Sequence, residues 1–354
     1  MRARRAAWWA AALVALACAP TVTRARLPRP APPRALDPVE QNARCVSCHT
    51  EEAAEWHRSE HRTSFSDPVF QRALALEPSP FCVGCHAPEG SGSEPARAEL
   101  GVACVTCHLA GEVVLAAPKA TERPAPHAIE RRAEFAAQGA CAGCHEFSFG
   151  DDARRPAPLP MQRTITEHAR SPLASTTCAE CHMPHVPGAS GPRRGHAFAD
   201  TRDPAWLRRS LRATAARLGA TGARVTLSLS RVGHAFPTGD LFRRLALRVD
   251  ALDERGVVVA SAARTLSRRF GTVIAADGGP IRVELSDDRP GAAGPQPDTI
   301  VDLDPGLAAR GASLRWTVAL ERVLHAADGR EADAIVAGVV PLAEGELPPL
   351  PTAR

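Results

Sequence analysis

The sequence predicts a mixed fold. An N-terminal domain, mainly α-helix and coil with few strands, is followed by a C-terminal antiparallel β-sandwich, immunoglobulin-like in outline. Two observations predict it. Residues 39–203 carry five copies of Cys-x-x-Cys-His and are punctuated throughout by Pro and Gly. Beyond Asp203 the cysteines stop, and runs that alternate apolar with polar residues take over.

The five copies are Cys45 and Cys48 with His49, Cys82 and Cys85 with His86, Cys104 and Cys107 with His108, Cys141 and Cys144 with His145, and Cys178 and Cys181 with His182. This order is what covalent attachment of a c-type haem requires. Two thiols form thioether bonds to the vinyl groups, and the next residue lies under the iron as proximal imidazole. Zinc also uses paired cysteines, but it does not need a His directly after every pair. The first cysteines are separated by 37, 22, 37 and 37 residues. That leaves roughly 32 residues per haem, too few for a separate domain each, so the expected five haems share one core. Phe and Trp together number only 15 and Tyr is absent. The porphyrins would supply the apolar surface that the first half lacks.

In chain order, Arg2, Arg4 and Arg5 precede an apolar stretch, Ala6–Ala17, too short to span a bilayer and suited to a signal peptide over residues 1–17. Cys18 is the one cysteine outside the motifs, and directly follows Ala15-Leu16-Ala17. Two readings stand: a lipoprotein acylated at Cys18, or ordinary cleavage with Cys18 incidental. Residues 18–38, rich in Pro, Arg and Ala, read as an extended tether. The haem domain is expected over 39–203, with helices at Glu51–Glu60 and Ile129–Gln138. A partial repeat relates Glu55-Trp56-His57-Arg58-Ser59 to Glu167-His168-Ala169-Arg170-Ser171.

The β-domain is expected over 204–343. It opens with a helix at Ala205–Ala216, with Trp206, Leu207 and Leu211 on one face. Strands follow at Arg224–Ser230, Arg243–Leu252, Gly256–Phe270, Thr299–Leu303, Ala312–Leu324 and Ala334–Val340, and residues 344–354 read as a tail.

The net charge of +4 includes three Arg of the signal; without them 40 basic residues face 39 acidic ones. Ten haem propionates would take the holoprotein to about −9, which argues against a nucleic-acid binder.

The second axial position of each iron decides between electron transfer and ligand binding. Eight histidines lie outside the motifs: His57, His61, His127, His168, His185, His196, His234 and His325. His61 ends a helix that starts beside the first motif, with His57 as the alternative one turn earlier. His127 is presented rigidly by Pro124-Ala125-Pro126, and His196 follows the last motif by fourteen residues. His234 lies in a loop fixed by Gly233, Pro237 and Gly239, and is expected to reach from the β-domain to a haem. His185 and His168 are weaker candidates, His325 reads as structural, and Met161 is a further candidate ligand.

Several segments carry a resemblance. Glu55-Trp56 with Ser59 and His61, Gly101-Val102 before Cys104, and Cys181-His182-Met183-Pro184 resemble exported multihaem c-type cytochromes related to hydroxylamine oxidoreductase and its tetrahaem electron acceptor. Pro160-Met161-Gln162 and His234-Ala235-Phe236-Pro237-Thr238-Gly239 are similar to members with a C-terminal β-domain. The resemblance covers residues 40–270. It implies closely packed, mostly bis-His haems in a periplasmic electron chain. The catalytic haem of the oxidoreductase is cross-linked to a Tyr, and the related nitrite reductases put Lys in place of one motif His. This chain has no Tyr, and all five motifs end in His.

The sequence therefore leads us to expect an electron carrier, periplasmic or anchored on the periplasmic side of a membrane, serving other cytochromes or membrane oxidoreductases. The alternatives are a reductase or oxidase of a small nitrogen or sulfur oxyanion with one open haem, and a docking subunit of a larger electron-transfer complex.

Overall fold

The computed structural model describes residues 36–90, 94–119, 124–148, 158–198, 203–294, 298–324 and 334–350. The signal peptide, Cys18, most of the tether and His325 lie outside the described residues.

The first half is built from short helices joined by coil: α1 (Pro38–Cys48), α2 (Thr50–Trp56), α3 (Glu60–Thr63), α4 (Pro68–Leu76), α5 (Pro80–His86), α6 (Pro95–Ala98) and α7 (Cys104–His108). A small sheet of β1 (Leu109–Ala110), β2 (Val113–Ala116) and β3 (Ile129–Arg131) comes next. Then come α8 (Ala133–Ala136), α9 (Gly139–His145), the paired β4 (Glu146–Ser148) and β5 (Pro160–Arg163), α10 (Thr164–Ala169), α11 (Cys178–His182) and the paired β6 (His185–Val186) and β7 (Arg193–Arg194). Several helices start on a local signal. Pro stands at the first turn of α1, α4, α5 and α6. Asp37 accepts from Val39 N at 2.8 Å, and Asp67 from Val69 N and Phe70 N, both at 2.9 Å. Protein side chains alone bury little here. Trp56, Leu100, Ala103 and Val105 form one small cluster.

The second half opens with α12 (Pro204–Ser210) and continues as strands β8 (Leu211–Leu218), β9 (Gly222–Leu229), β10 (Arg243–Leu252), β11 (Val258–Leu266), β12 (Arg268–Ile274), β13 (Pro280–Asp287), β14 (Thr299–Leu303), β15 (Ser313–Val323) and β16 (Val336–Leu347). Their pairings are antiparallel: a four-stranded sheet β11-β10-β15-β16, a three-stranded sheet β14-β9-β8, and the ribbon β12-β13. Alternation sets the core. Leu245, Leu247 and Val249 of β10 join Leu314, Val318 and Leu320 of β15, Val225 and Leu227 of β9, and Val301 of β14 in one apolar cluster.

Five local expectations are corrected. Ile129–Arg131, expected as helix, pairs in parallel with Val114–Ala116, because strand pairing outweighs a weak helical pattern. The expected helix Ala205–Ala216 stops at Ser210; from Leu211 the chain pairs with β9 across a turn that has Gly219 at φ +60°. Gly256–Phe270 is two strands, broken at Ser267, whose N–H donates to Asp288 at 2.8 Å. β13 was not expected, and β16 runs to Leu347, into the segment expected as tail.

Charged contacts join the two halves. Arg163 pairs with Glu284 and Asp287, Arg289 with Glu167, and Arg322 with Asp67. Arg268 donates to the carbonyls of Met161 and Pro160.

Candidate haem centres

Each motif lies on a short helix: Cys45 and Cys48 close α1, and the others occupy α5, α7, α9 and α11. One helical turn explains the spacing. Residues three and four apart share a face, so two thiols and the following imidazole meet one flat ligand. The α11 motif is fixed by a capping box. Thr177 Oγ1 accepts from Glu180 N, and Glu180 accepts from Thr177 N at 2.6 Å.

Four motif histidines face a second imidazole across a constant gap. The ring centroids of His49 and His127 are 6.4 Å apart, those of His145 and His61 6.3 Å, of His108 and His196 6.2 Å, and of His182 and His234 6.3 Å. A metal–imidazole bond of about 2.0–2.1 Å, plus about 1.1 Å from nitrogen to ring centre on each side, gives about 6.3 Å for two rings on one iron. Among the described residues, no group of three His, Cys, Asp or Glu comes together as a multidentate metal site would. The imidazoles stand in opposed pairs instead.

Tautomers agree with this geometry. Nδ1 donates to a backbone carbonyl in His86 (Ser64 O, 2.9 Å), His108 (Leu115 O, 2.9 Å), His196 (Arg194 O, 3.0 Å) and His234 (Ala235 O, 2.9 Å). That leaves Nε2 with its lone pair to meet a metal. Burial also lowers the pKa of His108, His145, His196 and His234, which favours their neutral form. It takes His145 down to about 3, helped by nearby His61 and His182, and His234 down to about 4 against the opposing effect of its bond to Ala235. These residues fit a haem between each pair.

The pairings are long-range. His61, expected beside the first motif, stands opposite the fourth-motif His145. The partner of His49 is His127, and His196 faces the third motif rather than the fifth. Gly101 holds the His61 segment in place. It has φ +59°, and a Cβ there would lie 2.5 Å from both His61 O and Arg62 O. Val102 N donates to His61 O at 2.8 Å, and Trp56 Nε1 donates to Val102 O at 2.8 Å.

His86 differs. Among the described residues no imidazole stands opposite it. Its ring neighbour is Phe70, stacked at 3.7 Å and 8°. Ser64 donates to its carbonyl at 2.7 Å while accepting from its Nδ1 through the backbone. Asp240, Arg243 and Asp67 are close enough to influence its charge. Of the remaining candidates, His57 packs beside Trp56, His168 is buried against Gly233, and His185 lines an open cleft with Val186, Pro187 and Pro192. Met161 packs with Leu159, Leu241, Phe242 and Phe270.

The thiols show which motifs are neighbours. Cys85 lies near enough to Cys144, and Cys141 near enough to Cys178, for each thiol to act on the other's charge. Cys104 is close to Cys45, and Cys107 to Cys144. The fourth motif thus neighbours the second, third and fifth.

Comparison with known proteins points the same way. Residues 44–109 match the family model for cytochrome c554 and c-prime. The chain is similar to the crystal structure of a penta-heme cytochrome c552 from Thermochromatium tepidum. The two are 21% identical, with a TM-score of 0.61, over 86% of this chain and 97% of that one. The fold is that of a multihaem c-type cytochrome. A β-glucuronidase of glycoside hydrolase family 2 overlaps 40% of this chain at a TM-score of 0.17, which carries no argument. No curated protein matches.

Proposed function

We propose that the chain binds five covalently attached c-type haems and carries electrons between redox partner proteins outside the cytoplasm. The observation that carries this reading is the set of four imidazole pairs at 6.2–6.4 Å, each joining a motif histidine to one from elsewhere in the chain. When bound, the haems supply one-electron chemistry at iron. His49 with His127, His61 with His145, His108 with His196 and His182 with His234 would hold the haem irons through their Nε2 atoms, and irons so held would be closed to water and substrate. Close motif contacts support rapid transfer, with the fourth motif as the branch point. The Arg-led leader and Cys18 support export, with anchoring at a membrane if Cys18 is acylated.

A second reading rests on His86. An iron above it has no imidazole partner among the described residues, so it would bind a small exogenous ligand and support reductase or oxidase chemistry on a nitrogen or sulfur oxyanion. Neither a Tyr nor a Lys-ended motif is available for the catalytic devices of the resembling enzymes.

A redox-titrated EPR measurement on the purified holoprotein tests both. The carrier reading predicts four low-spin haems closed by His pairs. A fifth, high-spin ferric haem with steady-state turnover of nitrite or hydroxylamine moves the assignment to enzyme. A sulfur-to-iron charge-transfer band at the red edge of the visible spectrum would instead assign the fifth ligand to a methionine.

A further inference from the structure

Two distal imidazoles share a support. Glu55 accepts from the backbone N–H of His196 at 2.7 Å and is held by both guanidinium nitrogens of Arg193 at 2.9 Å. Glu167 accepts from the N–H of Ala235, next to His234, at 3.2 Å and from Thr238 Oγ1 at 2.7 Å. Glu167 is held in turn by Arg289, which also donates to Pro237 O at 2.7 Å. The side chains of Glu167 and Arg289 are only 5% and 2% exposed.

These glutamates occupy the same place in the repeated segment. After each, the backbone makes the same turn. Arg58 N returns to Glu55 O and Ser59 N to Trp56 O; Arg170 N returns to Glu167 O and Ser171 N to His168 O. Ser59 Oγ then accepts from Arg62 N, and Ser171 Oγ from Leu173 N. The sequence echo is thus an echo in structure.

We infer that Glu55 and Glu167 are paired positioning residues, each clamping through an arginine-held carboxylate the backbone that presents a distal histidine, His196 in one case and His234 in the other. The physical reason is that His196 and His234 lie in coil, where no helix or strand ladder fixes their backbone. A carboxylate fixed by an arginine that accepts a backbone N–H removes the rotational freedom which would let the ring leave the iron. The inference rests on the ligand reading of His196 and His234 under the proposed function.

The test uses the full-length holoprotein and counts spin states by EPR and resonance Raman. His196→Ala and His234→Ala are each expected to gain one haem equivalent of high-spin signal. Glu55→Ala and Glu167→Ala are expected to gain signal from the same respective haems, and added imidazole to remove it. Glu167→Gln, which keeps an acceptor for Ala235 and Thr238, should retain most of the low-spin form. Each double variant, such as Glu167→Ala with His234→Ala, should show no more high-spin haem than the histidine variant alone. Glu284→Gln breaks the same ion network away from the loop, and should lower the melting temperature without changing the spin count.

If the glutamate variants stay fully low-spin while the histidine variants convert, the positioning role is overturned and the glutamates are structural only. If the histidine variants themselves convert nothing, the ligand reading fails first. Should Glu167→Ala not fold, Glu55→Ala decides the matter by itself, with conversion upholding the role and a fully low-spin spectrum overturning it.

Discussion

His182 and His234 face one another with ring centroids 6.3 Å apart and planes 18° from parallel. One belongs to a haem motif and the other to a loop between two strands of the β-half. A shared iron would tie the two halves together at this point. His234→Ala should therefore convert one low-spin haem to high-spin and also make the second half more open to proteolysis. Difference spectra and limited digestion check both effects, and an unchanged spectrum leaves His234 as a turn residue.

Gly101→Ala should be severe for its size. The new Cβ would meet two backbone oxygens at 2.5 Å, at a φ that suits glycine. The strain is of the order of 1–3 kcal/mol. Relief requires the His61 segment to retreat, so thermal stability should fall and the haem at His145 should gain high-spin character. Thermal melts followed at the haem absorption would report both.

The contacts between the halves should fail in acid. Burial raises the Asp287 carboxyl, but Arg289 and Arg163 outweigh it and hold the group below its ordinary value. Asp67 is likewise lowered, with the N–H of Phe70 and Arg322 outweighing burial. A folded-state value below the unfolded one contributes stability that is present above about pH 3.9 and is lost as pH falls through the lower folded value. The contribution of these two Asp should thus be flat from neutral pH down to about 4 and then drop, a step separate from the decline that burial of neutral His145 and His234 starts near pH 6.5. In Asp287→Asn that acid step should shrink in denaturant titrations, and an unchanged step would count against the argument.

The haem on Cys82 and Cys85 should be the one that takes carbon monoxide when reduced. Among the described residues no imidazole faces His86 across the gap shared by the other four motif histidines, and Phe70 packs flat against its ring face. About one equivalent of carbon monoxide should bind per chain. His86→Met should alter that binding, while His127→Ala should add a second equivalent.

Much of this was legible in the sequence, and for local reasons. The attachment motif is written in five consecutive residues, and His127, His196 and His234 each directly follow a Pro or Gly that stiffens the loop. Pairing was not legible. His61 looked local to the first motif, but the backbone contact with Gly101 and Val102 carries it to His145. Strands such as β10 showed their face through clean alternation. Leu211–Leu218 did not, because Trp206, Leu207 and Leu211 also satisfy a helical period, and only pairing with β9 decides between them. The one signal for Glu55 and Glu167 was the short repeat, whose meaning depends on Arg193 and Arg289 lying more than a hundred residues away in sequence.

The most direct test of the central claim is a spin-state census across four single variants: His61→Ala, His127→Ala, His196→Ala and His234→Ala. The account predicts that each converts one haem, a different one each time, from low-spin to high-spin, and lowers none of the covalent haem count seen by mass spectrometry. If the four variants leave the low-spin population unchanged, the opposed imidazoles do not close irons, and the electron-carrier account built on them is wrong.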